Sequence, residues 1–223
     1  MKKLLTTLAA AALLPLAATS AHAQLSANVA LTSHYKYRGQ DQGVSKDMAP
    51  AIQGGFDYAA GSFYLGNWNS NTGLGIEMDF YGGYKFELGG VGLDVGLLHY
   101  HYPDTTTANT TELYLGGSLG MFGLKYSHTV SKAYFGDGDG RGTGYFALSV
   151  NPEIAKGLTA NLALGYTNRE GTGTTSYSDW KAGVTYDLGS GMSAAAALVG
   201  ADKGSAYGDI NKTRFILTLS KAM

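Results

Sequence analysis

The stretch Ile76–Glu87, IEMDFYGGYKFE, changes character at every residue. Ile76, Met78, Phe80, Gly82, Tyr84 and Phe86 share one parity, and Glu77, Asp79, Tyr81, Gly83, Lys85 and Glu87 share the other. A period of two marks a β-strand, whose successive side chains point to opposite faces. One face is apolar and aromatic, the other charged. In a soluble sandwich the apolar face meets a core and the charged face meets bulk water. In a membrane barrel the apolar face meets lipid and the charged face an enclosed lumen.

The alternation recurs along the chain. In Ser26–Gly39, SANVALTSHYKYRG, the residues Ala27, Val29, Leu31, Tyr35 and Tyr37 oppose Asn28, Thr32, His34, Lys36 and Arg38. Leu158, Ala160, Leu162, Leu164 and Tyr166 oppose Asn161, Ala163, Gly165, Thr167 and Arg169. Trp180, Ala182, Val184, Tyr186 and Leu188 oppose Asp179, Lys181, Gly183, Thr185 and Asp187. About twelve strands are expected, near 25–39, 47–59, 62–70, 74–88, 90–102, 110–119, 121–132, 144–151, 157–168, 176–188, 191–201 and 210–221. Most run to about ten residues, the length a tilted strand needs to cross a bilayer. Strand 90–102 is ambiguous, because Leu97 and Leu98 fall on opposite parities, so His99 and His101 are assigned to neither face.

Connections sort by length. Tight ones, such as AAGS near 60, LGGVG near 90, LGMFG near 121, NPEIAKG near 154 and LGSG near 190, alternate with longer polar ones. The polar set is GQDQGVSKD, NSNTGLG, PDTTTANT, KAYFGDGDGRGTG, NREGTGTTSYS and ADKGSAYGDINK. Short turns at one end, long loops at the other and an even strand count describe an all-β, transmembrane, up-and-down antiparallel β-barrel. Both its termini would lie in the periplasm, which makes 132–144 an extracellular loop. Tyr35, Tyr37, Tyr58, Trp68, Tyr166 and Trp180 fall toward strand ends, where an interfacial aromatic girdle belongs.

The beginning of the chain gives the compartment. Lys2 and Lys3, an apolar run from Leu4 to Ala18 and Ala21-His22-Ala23 form a charged n-region, an h-region and a cleavage site. Residues 1–23 are therefore expected to be a cleaved signal peptide and 24–223 the cell outer-membrane barrel. There is no cysteine, so neither a disulfide framework nor a thiolate zinc site can form. The formal net charge is −1, and loss of Lys2 and Lys3 makes it more negative, which points away from nucleic acid. No cofactor and no metal-ligand cluster is expected. Hydrocarbon leaves no partner for an open sheet edge, so the last strand must pair with the first. At the C-terminus Phe215, Leu217, Leu219 and Met223 share a parity and resemble the terminal signal read by the outer-membrane assembly machinery. That machinery, outer-membrane lipid, lipopolysaccharide and small solutes are the expected partners.

The order of local motifs resembles the Gcw-type, TorF-like family of outer-membrane porins. The matching stretches are SHYKYRG, QGGFDYAAGSFYLGNW, EMDFYGGYKFELG, DVGLLHYHYP, TELYLGGSLGMFGLKYS and the closing FILTLSKAM. The resemblance implies an outer-membrane barrel and a channel. It implies no established substrate and no catalytic residues.

Catalytic patterns are weak. Gly116-Gly117-Ser118-Leu119-Gly120 fits G-x-S-x-G, but that elbow needs a strand-to-helix turn in an α/β sheet. Ser127 and His128 are neighbours, so in a strand they point to opposite faces. In GDGDGRG, Asp137 and Asp139 have the opening spacing of a calcium loop, but Arg141 stands at the third acidic position. The chain is therefore expected not to be an enzyme. Charged residues on the lumenal parity are the better lead. His34, Lys36 and Arg38 would lie beside Lys212 and Arg214 once the barrel closes, facing Glu77, Asp79 and Glu112 across the pore. The expected function is a passive channel for small hydrophilic solutes or ions, selective through these charges. The alternative is a non-conducting structural or surface-binding barrel in which the same groups pair and fill the interior. An outer-membrane lipid enzyme ranks third.

Overall fold

A computed structural model describes residues 24–43 and 49–223. The proposed signal peptide, residues 1–23, lies outside the described residues. The strands are β1 (Gln24–Thr32), β2 (Lys36–Tyr37), β3 (Gln40–Asp41), β4 (Ala51–Ala60), β5 (Phe63–Thr72), β6 (Gly75–Leu88), β7 (Val91–His101) and β8 (Thr110–Leu119). They continue as β9 (Phe122–Thr129), β10 (Gly144–Val150), β11 (Glu153–Ala155), β12 (Leu158–Asn168), β13 (Tyr177–Gly189), β14 (Met192–Ala201) and β15 (Arg214–Ala222). Sequence neighbours pair antiparallel around the sheet, β10 pairs both β9 and β12, and β1 pairs both β4 and β15. The ring therefore closes as a twelve-stranded barrel. The short β11 only extends the edge of β12, and β2 and β3 form a separate hairpin.

The seam between first and last strands runs from Asn28↔Ala222 to Thr32↔Thr218. Beyond it, the Ala27 N–H donates to the Met223 carbonyl at 3.0 Å and the Met223 N–H returns to Ala27 at 2.8 Å. Each of the twelve strands of the wall thus has two neighbours, the condition for a sheet in hydrocarbon.

Burial is inverted relative to a soluble protein. Leu25, Phe63, Leu65, Leu164 and Phe215 are exposed, with Leu65 at 60% and Leu164 at 63%, whereas Thr110, Thr129, Thr167 and Glu112 are almost fully enclosed. The apolar parities of β6, β12 and β13 face outward and their polar parities inward, as the alternation predicts. Glycine and tyrosine are frequent for a packing reason. Tyr81 lies over Gly66, Tyr64 over Gly83 and Tyr114 over Gly96, each on an adjacent strand, where a Cβ on the glycine would stand within 2.6 Å of the tyrosine.

Several expectations are corrected. The first strand ends at Thr32, not near 39, because the chain then turns into the barrel. NSNTGLG is not a long loop: β5 and β6 run on to Thr72 and from Gly75, leaving Gly73 and Leu74 as the turn. Trp68 faces inward, packed edge-on against Tyr35 at 5.7 Å between ring centres, rather than in the girdle. Tyr58 and Tyr166 remain on the outer surface. His99 and His101 share the outward face of β7 with Val95 and Leu97, while Leu98 packs inward against Tyr100 and Tyr102.

Candidate functional site

The lumen at the long-loop end holds the small hairpin β2–β3. It forms because Arg38 and Gly39 both adopt positive φ, 47° and 75°, giving a two-residue reversal between Tyr37 and Gln40. Gly39 is required there twice. Its φ is left-handed, and a Cβ would stand 2.5 Å from the Asp179 Cβ and 2.8 Å from the Gly200 carbonyl. The hairpin tip is thus seated against the wall at β13 and β14.

The aromatic residues of the hairpin segment face into the barrel. Tyr35 is buried and donates its hydroxyl to Glu77 Oε1 at 2.8 Å. Tyr37 shares a hydroxyl hydrogen bond with Tyr100 and packs edge-on against Tyr100 and Phe135. The expectation that Tyr35 and Tyr37 face lipid headgroups is therefore wrong. The alternation persists beyond Thr32 in sequence, but from there it describes the hairpin and not the wall.

The charged candidates form two clusters. In the first, Asp41 is the hub: His34 Nε2 lies 2.8 Å from Oδ1, Lys36 Nζ 2.9 Å from Oδ1, and Arg214 Nη2 2.9 Å from Oδ2. Lys36 Nζ also donates to the carbonyls of Gly39 and Ile210. In the second, Arg38 makes a two-pronged ion pair with Glu112, Nη1 to Oε1 at 2.8 Å and Nη2 to Oε2 at 2.7 Å. Arg38 Nη1 donates as well to the Tyr134 hydroxyl at 3.1 Å. Burial pushes the pKa of Tyr134 up, so that hydroxyl keeps its proton. The guanidinium carbon is 4.8 Å from the Tyr37 ring centre and 4.2 Å from that of Tyr145.

Glu77 and Asp79 lie inside the barrel, as their parity predicts. Glu77 accepts from Tyr35 and from Tyr102. Asp79 is 7% exposed, and its Oδ1 has no hydrogen-bond partner among the described residues. Lys212 stands apart: its side chain is 61% exposed and pairs with Asp209 outside the clusters. The basic and acidic residues thus do not stand as opposed walls across open space. Arg38, carried on the hairpin, spans the interval and pairs directly with β8. Asp41, Tyr100, Tyr134 and Tyr145 belong to this arrangement, although their parity or loop position does not mark them. The available signal is YRGQD, Tyr37–Asp41, whose Arg-Gly step is a hairpin turn and whose Asp41 is the nearest counter-charge.

Loop 130–143 covers the hairpin through Tyr134 and Phe135. Its Asp137 is held by Arg169 at 2.8 Å. Among the described residues, no group of three or more His, Asp or Glu converges as a metal site. Ser127 is buried inside the barrel, whereas His128 contacts the Tyr126 hydroxyl on the outer face. The two belong to opposite faces, as expected.

Among the solved structures of similar fold are two porins and an outer membrane channel. The KdgM porin superposes with a TM-score of 0.62 at 10% identity, covering 88% of this chain and 98% of its own. The NanC porin gives 0.60 at 11% identity, covering 89% and 98%. The COG4313 outer membrane channel from Pseudomonas putida F1 gives 0.50 at 12%, covering 92% and 96%. At these identities the likeness is one of fold. No curated protein matches the sequence. The sequence model described as "Bacterial protein of unknown function (Gcw_chp)" matches residues 16–222, and the chain belongs to that family.

Proposed function

We propose that the protein is a passive outer-membrane channel for small hydrophilic solutes or ions, with selectivity set by the charges carried on and around the lumenal hairpin. The observation that carries this is the placement of a charged hairpin inside a closed barrel, where its paired side chains occupy part of the lumen without interrupting the wall. The chain would be exported with residues 1–23 as its signal, with both termini periplasmic and the long loops outside. A structure of similar fold, the KdgM porin, is known in complex with disordered oligogalacturonate, which fits a hydrophilic cargo for a barrel of this kind.

A second reading has its own support. The Arg38–Glu112 pair is so enclosed that the hairpin could serve as permanent filling, giving a non-conducting barrel that acts through its loops. Planar-bilayer recording separates the two. Stepwise currents from the purified protein are expected for a channel. No current from the parent or from Arg38→Ala would leave the structural barrel.

A further inference from the structure

Arg38 is held as a bound ligand would be. A planar guanidinium meets a carboxylate through two parallel hydrogen bonds, accepts the face of the Tyr145 ring, and donates to the Tyr134 hydroxyl. The Tyr100 hydroxyl donates to the same carboxylate, at 3.3 Å from Glu112 Oε2. Of the groups around the guanidinium, only Tyr37 comes with the hairpin. Glu112, Tyr100 and Tyr145 belong to β8, β7 and β10, and Tyr134 to loop 130–143. The receptacle is therefore built into the wall and its covering loop. Fork-to-fork pairing and ring stacking select a flat, delocalised cation over a compact ammonium.

The surrounding charge points the same way. Glu77, Asp79 and Glu112 line this end of the lumen. Among the described residues, Arg38 is the one cation that forms an ion pair with any of the three. Lys36 and Arg214 are drawn instead to Asp41. Asp79 pairs across the sheet with Tyr100, whose hydroxyl reaches Glu112, and it presents an unpartnered Oδ1. A second positive centre on an incoming molecule would find its counter-charge there.

We propose that the Glu112 receptacle is a binding site for guanidinium-bearing solutes, favouring those with a second positive charge, and that Arg38 is its tethered occupant. Binding does not depend on conduction. The consequence of binding does rest on the channel reading: a solute that displaces Arg38 cuts the tie between the hairpin tip and β8. A tethered group acts at an effective concentration on the order of millimolar or more, so the site is best exposed by removing Arg38.

The test is calorimetric titration of the folded, detergent-solubilised protein with agmatine, a guanidine linked to an amine. 1,4-Diaminobutane serves as the same chain without the guanidine. Arg38→Ala should bind agmatine at least tenfold more tightly than the parent does, and at least tenfold more tightly than it binds diaminobutane. Adding Glu112→Gln should abolish the gain, and adding Asp79→Asn should weaken agmatine while leaving ethylguanidinium unchanged. Equal binding of agmatine and diaminobutane to Arg38→Ala, or unchanged agmatine binding after Glu112→Gln, would overturn the proposal. If Arg38→Ala does not fold, Arg38→Lys keeps the hairpin charge without the fork. It should still bind agmatine more tightly than the parent, and parity between them counts against the site. Bilayer recordings of the same proteins separate the two ideas, since binding without current retains the site and removes the channel, and current without binding does the reverse.

Discussion

Arg38 shows how a locally unfavourable conformation is retained. A non-glycine residue at positive φ costs about 1–2 kcal/mol, and Arg38 sits at φ 47°. Its double hydrogen bond to Glu112 and its ring contacts offset that cost only while the hairpin is seated. Gly39 decides whether it can be. Gly39→Ala should lose about 1–2 kcal/mol to backbone strain and about 1–3 kcal/mol more to overpacking against Asp179 and Gly200. Gly61→Ala is the matched control, because Gly61 has φ +60° with nothing within 4 Å of its Cβ direction, and it should lose the backbone part alone. Urea unfolding of vesicle-folded protein measures both. Equal losses would mean that the hairpin tip does not rest on β13 and β14.

At the scale of elements, β12 gives the most direct test of facing. Leu162 is exposed on the outer surface, and its neighbour Asn161 points inward, where it accepts a hydrogen bond from Thr185 at 2.6 Å. Leu162→Arg should cost roughly 2–4 kcal/mol in a lipid bilayer, the depth-dependent penalty for a lipid-facing arginine. Asn161→Arg loses the bond from Thr185 and a longer, exposed one to Asn151 at 3.4 Å, together about 1–2 kcal/mol, and keeps its charge on the polar side. Folding yields into vesicles that rank the other way would reverse the face assignment. Thr167 also points inward but is fully enclosed, so an arginine there would meet packed side chains rather than space.

The same elements show what a sequence can and cannot specify. The facing of β6, β12 and β13 was legible because a two-residue period is local and one face must be apolar. The lumenal parity of Glu77 and Asp79 followed from it, and that of Glu112 from the same period in β8. The hairpin at 36–41 was not legible as such, because its alternation continues that of β1 and only barrel closure brings Arg38 to Glu112, a separation of 74 residues. The inward turn of Trp68 was hidden for a related reason: position near a strand end suits both an interface and a lumenal rim.

For the molecule as a whole, closure assigns the connections to opposite ends. The start of β1 and the end of β15 meet at the seam, on the same end as the turns around Gly61, Gly89, Gly120 and Gly191. Loop 130–143 emerges at the other end, after an odd number of crossings from β1, and packs over the hairpin. If the termini are periplasmic, that loop is outside the cell and the segment between β10 and β12 is inside. The absence of cysteine makes this measurable, since a single introduced thiol is the only one in the protein. Gly138 is suited to it because a Cβ there meets nothing within 4 Å, and Lys156 is exposed in the opposite connection. A maleimide carried on a polymer too large to pass the proposed channel, added to intact cells, should label Gly138→Cys and leave Lys156→Cys unlabelled until the outer membrane is opened. Labelling of Lys156→Cys alone would invert the barrel and place the hairpin at the periplasmic mouth. With so large a probe, labelling of both in intact cells would place the two connections on one side of the membrane, which the odd number of crossings between them and the closed ring of strands does not allow.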